Sequence, residues 1–183
     1  MEPGVFIFER KCVEMFREMR RKKQVLPEEV CTSILNRGTS GVLALMGDEG
    51  YPYAVPMSYV YDDGKLYFHC AKEGHKLDAV RRCSKASFCV IDQDQIVPEE
   101  YTTYFRSVIL FGTIRILEGD VEKLAAIEKL TEKYTPDDSA DNRKKAIERD
   151  WKPLCMLEMA VEHMSGKEAI ELVRAGQTAA DPV

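Results

Sequence analysis

The spacing of apolar residues changes period several times along this chain, and each change marks an element. Cys12, Met15, Phe16 and Met19 recur at i, i+3, i+4 and i+7, the stripe of a helix. The basic run Arg20-Arg21-Lys22-Lys23 follows, and reads either as a solvated arm or as one that packs on a partner subunit. Residues 27–37 predict a helix, with Pro27 at its start, Glu28 and Glu29 in the first turn and Gly38 past the end.

The period then shortens to two. Gly41 to Met46 is a short apolar run, Asp48-Glu49-Gly50 a turn, and Tyr53 to Tyr61 an alternating strand. Asp62-Asp63-Gly64 is a strong hairpin signal that leads into a strand from Leu66 to Cys70. Three strands joined by tight turns predict an antiparallel meander. A short helix over 75–83 precedes a strand from Ser84 to Ile91 and a long one from Tyr104 to Leu117. Helices are expected over 120–134 and 140–150, then a last strand from Leu154 to Met164 and a short helix over 167–174. The pattern divides the chain into an arm (1–24), a barrel domain (25–175) and a flexible tail (176–183). Six strands with peripheral helices predict a mainly β fold, an antiparallel barrel closed or nearly closed.

Charge and composition narrow the function classes. The formal net charge of −5 argues against a nucleic-acid partner, which needs a basic face. No stretch approaches the about 20 apolar residues of a membrane span, and the patch Val5 to Phe8 is too short for a signal-peptide core. A cytoplasmic protein is expected. The six cysteines include no C-x-x-C, and no histidine stands at zinc-finger spacing, so no metal site is expected. No G-x-G-x-x-G, P-loop or G-x-S-x-G occurs.

Three segments carry candidate chemistry. His69-Cys70-Ala71-Lys72-Glu73-Gly74-His75-Lys76 ends a strand and opens a helix, with Arg81 and Arg82 shortly after. Cations oppose the dipole at a helix start, so their concentration there suits a docked anion such as phosphate; an exposed basic helix start is the alternative. Gly74 would permit close backbone approach. Within Val55-Pro56-Met57-Ser58-Tyr59, the proline removes a ladder donor and implies an edge or bulge, whose free backbone groups could meet a planar heterocycle. In the strand before the basic turn, Leu66, Phe68 and Cys70 share one face while Tyr67 and His69 share the other. His69 thus ends its strand beside the anion candidate, where a group titrating near neutrality is useful.

With these residues assembled, the chain resembles the pyridoxamine 5′-phosphate oxidase-like FMN-binding split-barrel superfamily, and within it the 5-nitroimidazole resistance (Nim) group. The similarity runs from Met19 to Lys167. It is carried by Met19-Arg20-Arg21, Gly41-Val42-Leu43-Ala44, Pro52 to Tyr59, Leu66 to Ala71, Gly74-His75-Lys76, and Tyr104 with Ser107-Val108-Ile109 and Phe111-Gly112. The resemblance implies a six-stranded split barrel and a homodimer with FMN at its interface. Val55, Pro56, Met57 and Ser58 would line the isoalloxazine, Tyr67, Phe68 and His69 would flank it, and His75 and Lys76 would hold the phosphate. Ser107 would approach from the partner chain, and His69 would be the catalytic residue in reducing a nitroaromatic or similar flat electrophile. Lys22-Lys23 departs from the acidic residue expected after the two arginines, and Ala175 to Val183 lacks the arginine that a pyridoxamine-phosphate oxidase uses on its substrate. Haem or deazaflavin on the same barrel, a flavin carrier without turnover, a pyridoxamine-phosphate oxidase-like enzyme and a non-catalytic interaction module stand as alternatives.

Overall fold

The computed structural model describes residues 16–180. Val5 to Phe8, Cys12 and Met15 lie outside them. Phe16 and Met19 occupy irregular backbone, not the expected helix. The reason lies in the sheet: the Phe16 ring stacks on His163 with centroids 4.7 Å apart and packs near Phe111, so its apolar surface is spent there.

Among the described residues eight strands form: β1 (Val25–Leu26), β2 (Ser40–Met46), β3 (Pro52–Ser58), β4 (Val60–Asp62), β5 (Lys65–Ala71), β6 (Lys85–Val97), β7 (Thr102–Ile116) and β8 (Leu154–Glu168). Five helices accompany them: α1 (Glu28–Arg37), α2 (His75–Arg82), α3 (Asp120–Tyr134), α4 (Ala140–Asp150) and α5 (Ile170–Ala180). The count of six strands is corrected to eight because the strand expected over Tyr53 to Tyr61 breaks at Tyr59 and because the two-residue β1 has no readable period. The last helix runs from Ile170 to Ala180 rather than over 167–174.

All ladders are antiparallel, in the order β3-β2-β6-β7-β8-β5-β4, with β1 on β8. This replaces the three-strand meander. β3 pairs with β2 at one edge, and β4 pairs with β5 at the other, in a hairpin whose Asp63 and Gly64 both take positive φ. A single residue, Tyr59, joins the two edges, so the sheet must curl until they meet. No ladder closes it: the barrel is split.

Alternation fills the barrel. Leu43, Leu45, Met57, Leu66, Phe68, Phe88, Val90, Val108, Leu110 and Leu157 face inward and are buried. Outside, α3 lays Ala126 and Leu130 over Tyr67, Leu117 and Met156. Buried Glu158 beneath it receives Arg115 Nε at 2.9 Å and Lys65 Nζ at 3.1 Å. Burial alone would raise this carboxyl, but the two cations hold it below its ordinary range. Gly112 marks a bulge between β7 and β8 where a side chain would strike the Ala160 carbonyl, its Cβ only 2.0 Å away.

The crossover is clamped from two sides. Tyr59 is fully buried, and its hydroxyl donates to Leu35 O at 2.9 Å. Its N–H donates at 2.9 Å to the Tyr134 hydroxyl, which also meets the carbonyls of Thr39 and Tyr59. Lys133 Nζ lies 4.1 Å from the centre of the Tyr59 ring and donates to Leu35 O at 3.3 Å. Burial pulls this ammonium down to about 8 while the ring face draws the other way. Tyr59→Phe should therefore lower unfolding stability by about 1 kcal/mol, the worth of one hydrogen bond, and Tyr59→Ala by about 4 kcal/mol. Urea denaturation checks both, and equal midpoints for wild type and Tyr59→Ala would refute the clamp.

Candidate functional site

The split exposes two strand edges to one another. On one side β3 pairs only with β2. Val55 and Met57 turn inward, while Ala54, Pro56 and Ser58 are exposed on the outer face. Pro56 sits opposite Val42, on the edge strand its missing N–H predicts. On the other side β4 stops at Val60, opposite Tyr67, so Phe68 to Ala71 pair with β8 alone and leave their second backbone edge open. β3 and β5 approach one another across this opening.

The alternation of β5 decides which side chains can reach the opening. Phe68 is fully buried, edge-on to Phe88 with centroids 5.1 Å apart, so only its backbone faces the edge. Tyr67 is buried beneath α3, with Lys129 Nζ 5.6 Å from its ring centre. His69 is exposed on that same outer face. It lines a cavity of about 270 Å³ whose walls come from α3 and α4: Ile127, Leu130, Tyr134, Ala146 and Ile147, with Asp150 as its carboxylate.

The basic turn follows directly. Gly74 takes φ 123°, a conformation that disfavours any side chain, and the space its Cβ would occupy is open. Its carbonyl starts α2 by accepting from the N–H of Leu77 at 2.9 Å. The His75 ring packs at a tilt against Tyr53 of β3, centroids 4.1 Å apart, and its Nε2 lies 3.3 Å from Asp48 Oδ2. Arg82 donates to Asp48 Oδ1 at 2.6 Å and to Met46 O at 2.9 Å. The Arg82 hydrogen bond holds the Asp48 carboxyl below its ordinary range, with His75 adding to the effect. Sequence reasoning took Asp48 only for a turn residue; the structure makes it a resident anion on two of the predicted cations. Lys76 is half-buried, near Cys70, and forms no ion pair among the described residues.

Val55–Ser58, Tyr67–His69, His75 and Lys76 are thus neighbours around the split. Ser107 is not. It stands on β7 between Ile91 and Lys167, whereas His69 stands opposite Met156. Met156 and Lys167 lie eleven residues apart on β8, on the order of 35 Å of extended chain. Tyr53, Asp48 and the α3–α4 wall were not foreseen as site residues. Tyr53 could have been: it shares the inward parity of Val55 and Met57 on a strand already suspected.

Among the described residues no group of three or more His, Cys, Asp or Glu could hold a metal ion. No helix among them is long and apolar enough to cross a membrane.

Comparison with solved structures finds the same fold elsewhere. A candidate 5-nitroimidazole antibiotic resistance protein from Bacteroides thetaiotaomicron superposes with a TM-score of 0.65 at 23% identity, covering 79% of this chain and 86% of that one. A conserved hypothetical protein from Mycobacterium tuberculosis gives 0.71 at 20% identity over 82% and 90% of the two chains. A FAD and heme binding protein from Mycobacterium smegmatis gives 0.62 at 21% identity over 84% and 80%. No curated protein matches the sequence. The family model for pyridoxamine 5′-phosphate oxidase matches residues 27–168, which take in both edges of the split, the basic turn and the α3–α4 wall. The chain belongs to the pyridoxamine 5′-phosphate oxidase family, on its split-barrel fold.

Proposed function

We propose that this protein is an FMN-dependent oxidoreductase that works as a homodimer in the cytoplasm and reduces a flat electrophile of the nitroaromatic type. The observation that carries this reading is the position of His69. It stands at the open edge of β5, faces an apolar cavity of about 270 Å³, and lies a few residues before the Gly74-His75-Lys76 turn.

The residues present fit a flavin mononucleotide. The backbone edges of Val55–Ser58 and Phe68–Ala71 offer donors and acceptors to a planar heterocycle, as its two hydrogen-bonding edges require. Lys76 has no carboxylate partner among the described residues, the open space at Gly74 admits a phosphate to the backbone, and His75 would exchange Asp48 for it. Bound there, FMN supplies a two-electron reductant; the chain binds, orients and protonates. The walls Ile127, Leu130, Ala146 and Ile147 exclude water from a flat apolar substrate, and His69 orients it or donates a proton to it. Flavin-linked names among structural relatives support the cofactor class; one such relative binds FAD and heme.

A second copy is supported by the outer face of the sheet. Val42, Met46, Ile91, Ile109 and Phe111 are exposed there on adjacent strands, beside Pro56, and so form a contiguous apolar patch. Ser107 lies on the same face next to Ile91. A partner docked on this face would bring its own Ser107 toward the split.

Four outcomes are expected. The purified protein absorbs as a flavoprotein and reduces a nitroimidazole anaerobically; a Soret band or a colourless protein indifferent to added FMN refutes the reading. His69→Ala keeps FMN but loses about 10²–10⁴ in turnover; unchanged turnover removes His69 from the chemistry. Lys76→Ala weakens FMN about tenfold by fluorescence titration, and undiminished affinity overturns the phosphate assignment. Ile109→Glu yields monomers by light scattering and loses flavin with the partner; a flavin-replete monomer rejects the interfacial site.

A further inference from the structure

Two cysteines that the proposed reduction does not use stand directly opposite one another across the β5–β8 ladder, Cys70 against Cys155. Residues so opposed have Cα atoms about 4.5–5.5 Å apart, inside the roughly 4.4–6.8 Å that a disulfide spans. Both side chains project into the barrel end, where Cys155 is 7% exposed and Cys70 packs against the same core. Both thiols are free, and the Cys155 Sγ lies 4.0 Å from Met156 O. No other two cysteines of the described residues are strand partners.

Access is provided from one side. Cys155 lines a cavity of about 340 Å³ bounded by Leu77 and Arg81 of α2, by Lys72, and by Asp120 and Lys123 of α3. Lys123 is nearly buried; its Nζ lies 4.0 Å from the Trp151 ring centre and donates to Trp151 O at 3.2 Å. Burial lowers its ammonium, and the nearby Lys72 lowers it further. Neither lysine forms an ion pair among the described residues, while Arg81 meets Asp78 at 3.2 Å. With Arg81 engaged by Asp78 and with Glu118 and Asp120 also on the wall, the exposed Lys72 is the cation that an anionic visitor would meet at the cavity.

We propose that Cys70 and Cys155 form a reversible dithiol–disulfide couple, oxidised by a small anionic disulfide of the glutathione class that enters through this cavity. Cys155 faces the cavity and reacts first: its thiolate attacks one sulfur of the reagent, forming a mixed disulfide and releasing one thiolate. Cys70 resolves it by attacking the Cys155 sulfur, forming the Cys70–Cys155 bond and releasing the second thiolate. The two cysteine protons go to the two released thiolates. The pair is oxidised by two electrons and the reagent reduced by two. This order suits the environment, because burial, with Cys155 adding, pushes the Cys70 thiol up to about 12 against the pull of Lys76. The bond would fasten the open end of β5 to β8 one residue from His69. The proposal is independent of any flavin.

The test treats the fully reduced full-length chain with oxidised glutathione and reads intact mass and tryptic peptides. Wild type should lose two hydrogens and yield a peptide joining Cys70 to Cys155. Cys70→Ser should stop at one glutathionyl group on Cys155, and Cys155→Ser should leave Cys70 unmodified. Cys70→Ala repeats the first variant should the serine not fold by circular dichroism. Lys72→Gln should slow oxidation by glutathione disulfide roughly tenfold and leave oxidation by neutral hydroxyethyl disulfide unchanged. Absence of the joined peptide, or equal modification of Cys31, Cys83 and Cys89, overturns the proposal.

Discussion

One residue sets the shape of this molecule. Tyr59 links β3 to β4, the two extremes of a seven-strand path, and a trans peptide chain advances at most about 3.8 Å per residue. The edges must therefore meet, and the sheet's right-handed twist lets it curl that far. Hydrogen bonding does not zip the edges together, because Pro56 withdraws a donor from one and β4 ends after three residues on the other. The phenols of Tyr59 and Tyr134 and the ammonium of Lys133 fix the junction instead. The opening beside it is where the candidate site lies, so fold and site share one cause.

That cause is hidden from pattern reading for a definite reason. Met57 and Tyr59 are both buried and inward, so the alternation runs unbroken across the crossover. Alternation reports which face a side chain takes. It says nothing about which strand the backbone bonds to, and only the partner changes at Tyr59. The Asp63-Gly64 hairpin was legible because its backbone conformation demands particular residues. The extension of β6 past Ile91 was not: Asp92 to Val97 forms with Thr102 to Arg106 an arm in which no residue is fully buried, so no inward side produces a period.

The candidate site divides in the same way. His69, Gly74, His75 and Lys76 adjoin in sequence and could be read together. Asp48 could not, because a turn and a helix end distant in sequence meet only after the barrel curls. Its carboxylate bridges His75 at the start of α2 to Arg82 at its end, where the helix dipole itself favours a cation. Lys76 is half-buried and takes no part in this pairing. Ser107 shows the opposite limit: motif order groups it with the others, but the strand path sets it far from them within one chain.

The alternation of β5 then separates three tasks along four residues. Phe68 goes inward to hold the core, His69 outward to the apolar cavity, Cys70 inward to face Cys155, and the exposed Ala71 leads to the turn. Because period two is rigid, shifting the register by one residue would exchange every assignment, burying His69 and exposing Phe68. The ladder to β8 prevents this over its whole length, from Lys65 opposite Ala160 to Ala71 opposite Leu154. The side of β5 that lacks a partner can therefore stay open without loss of register. A strand held on one edge alone is what lets a packed barrel wall also present a free backbone to a ligand.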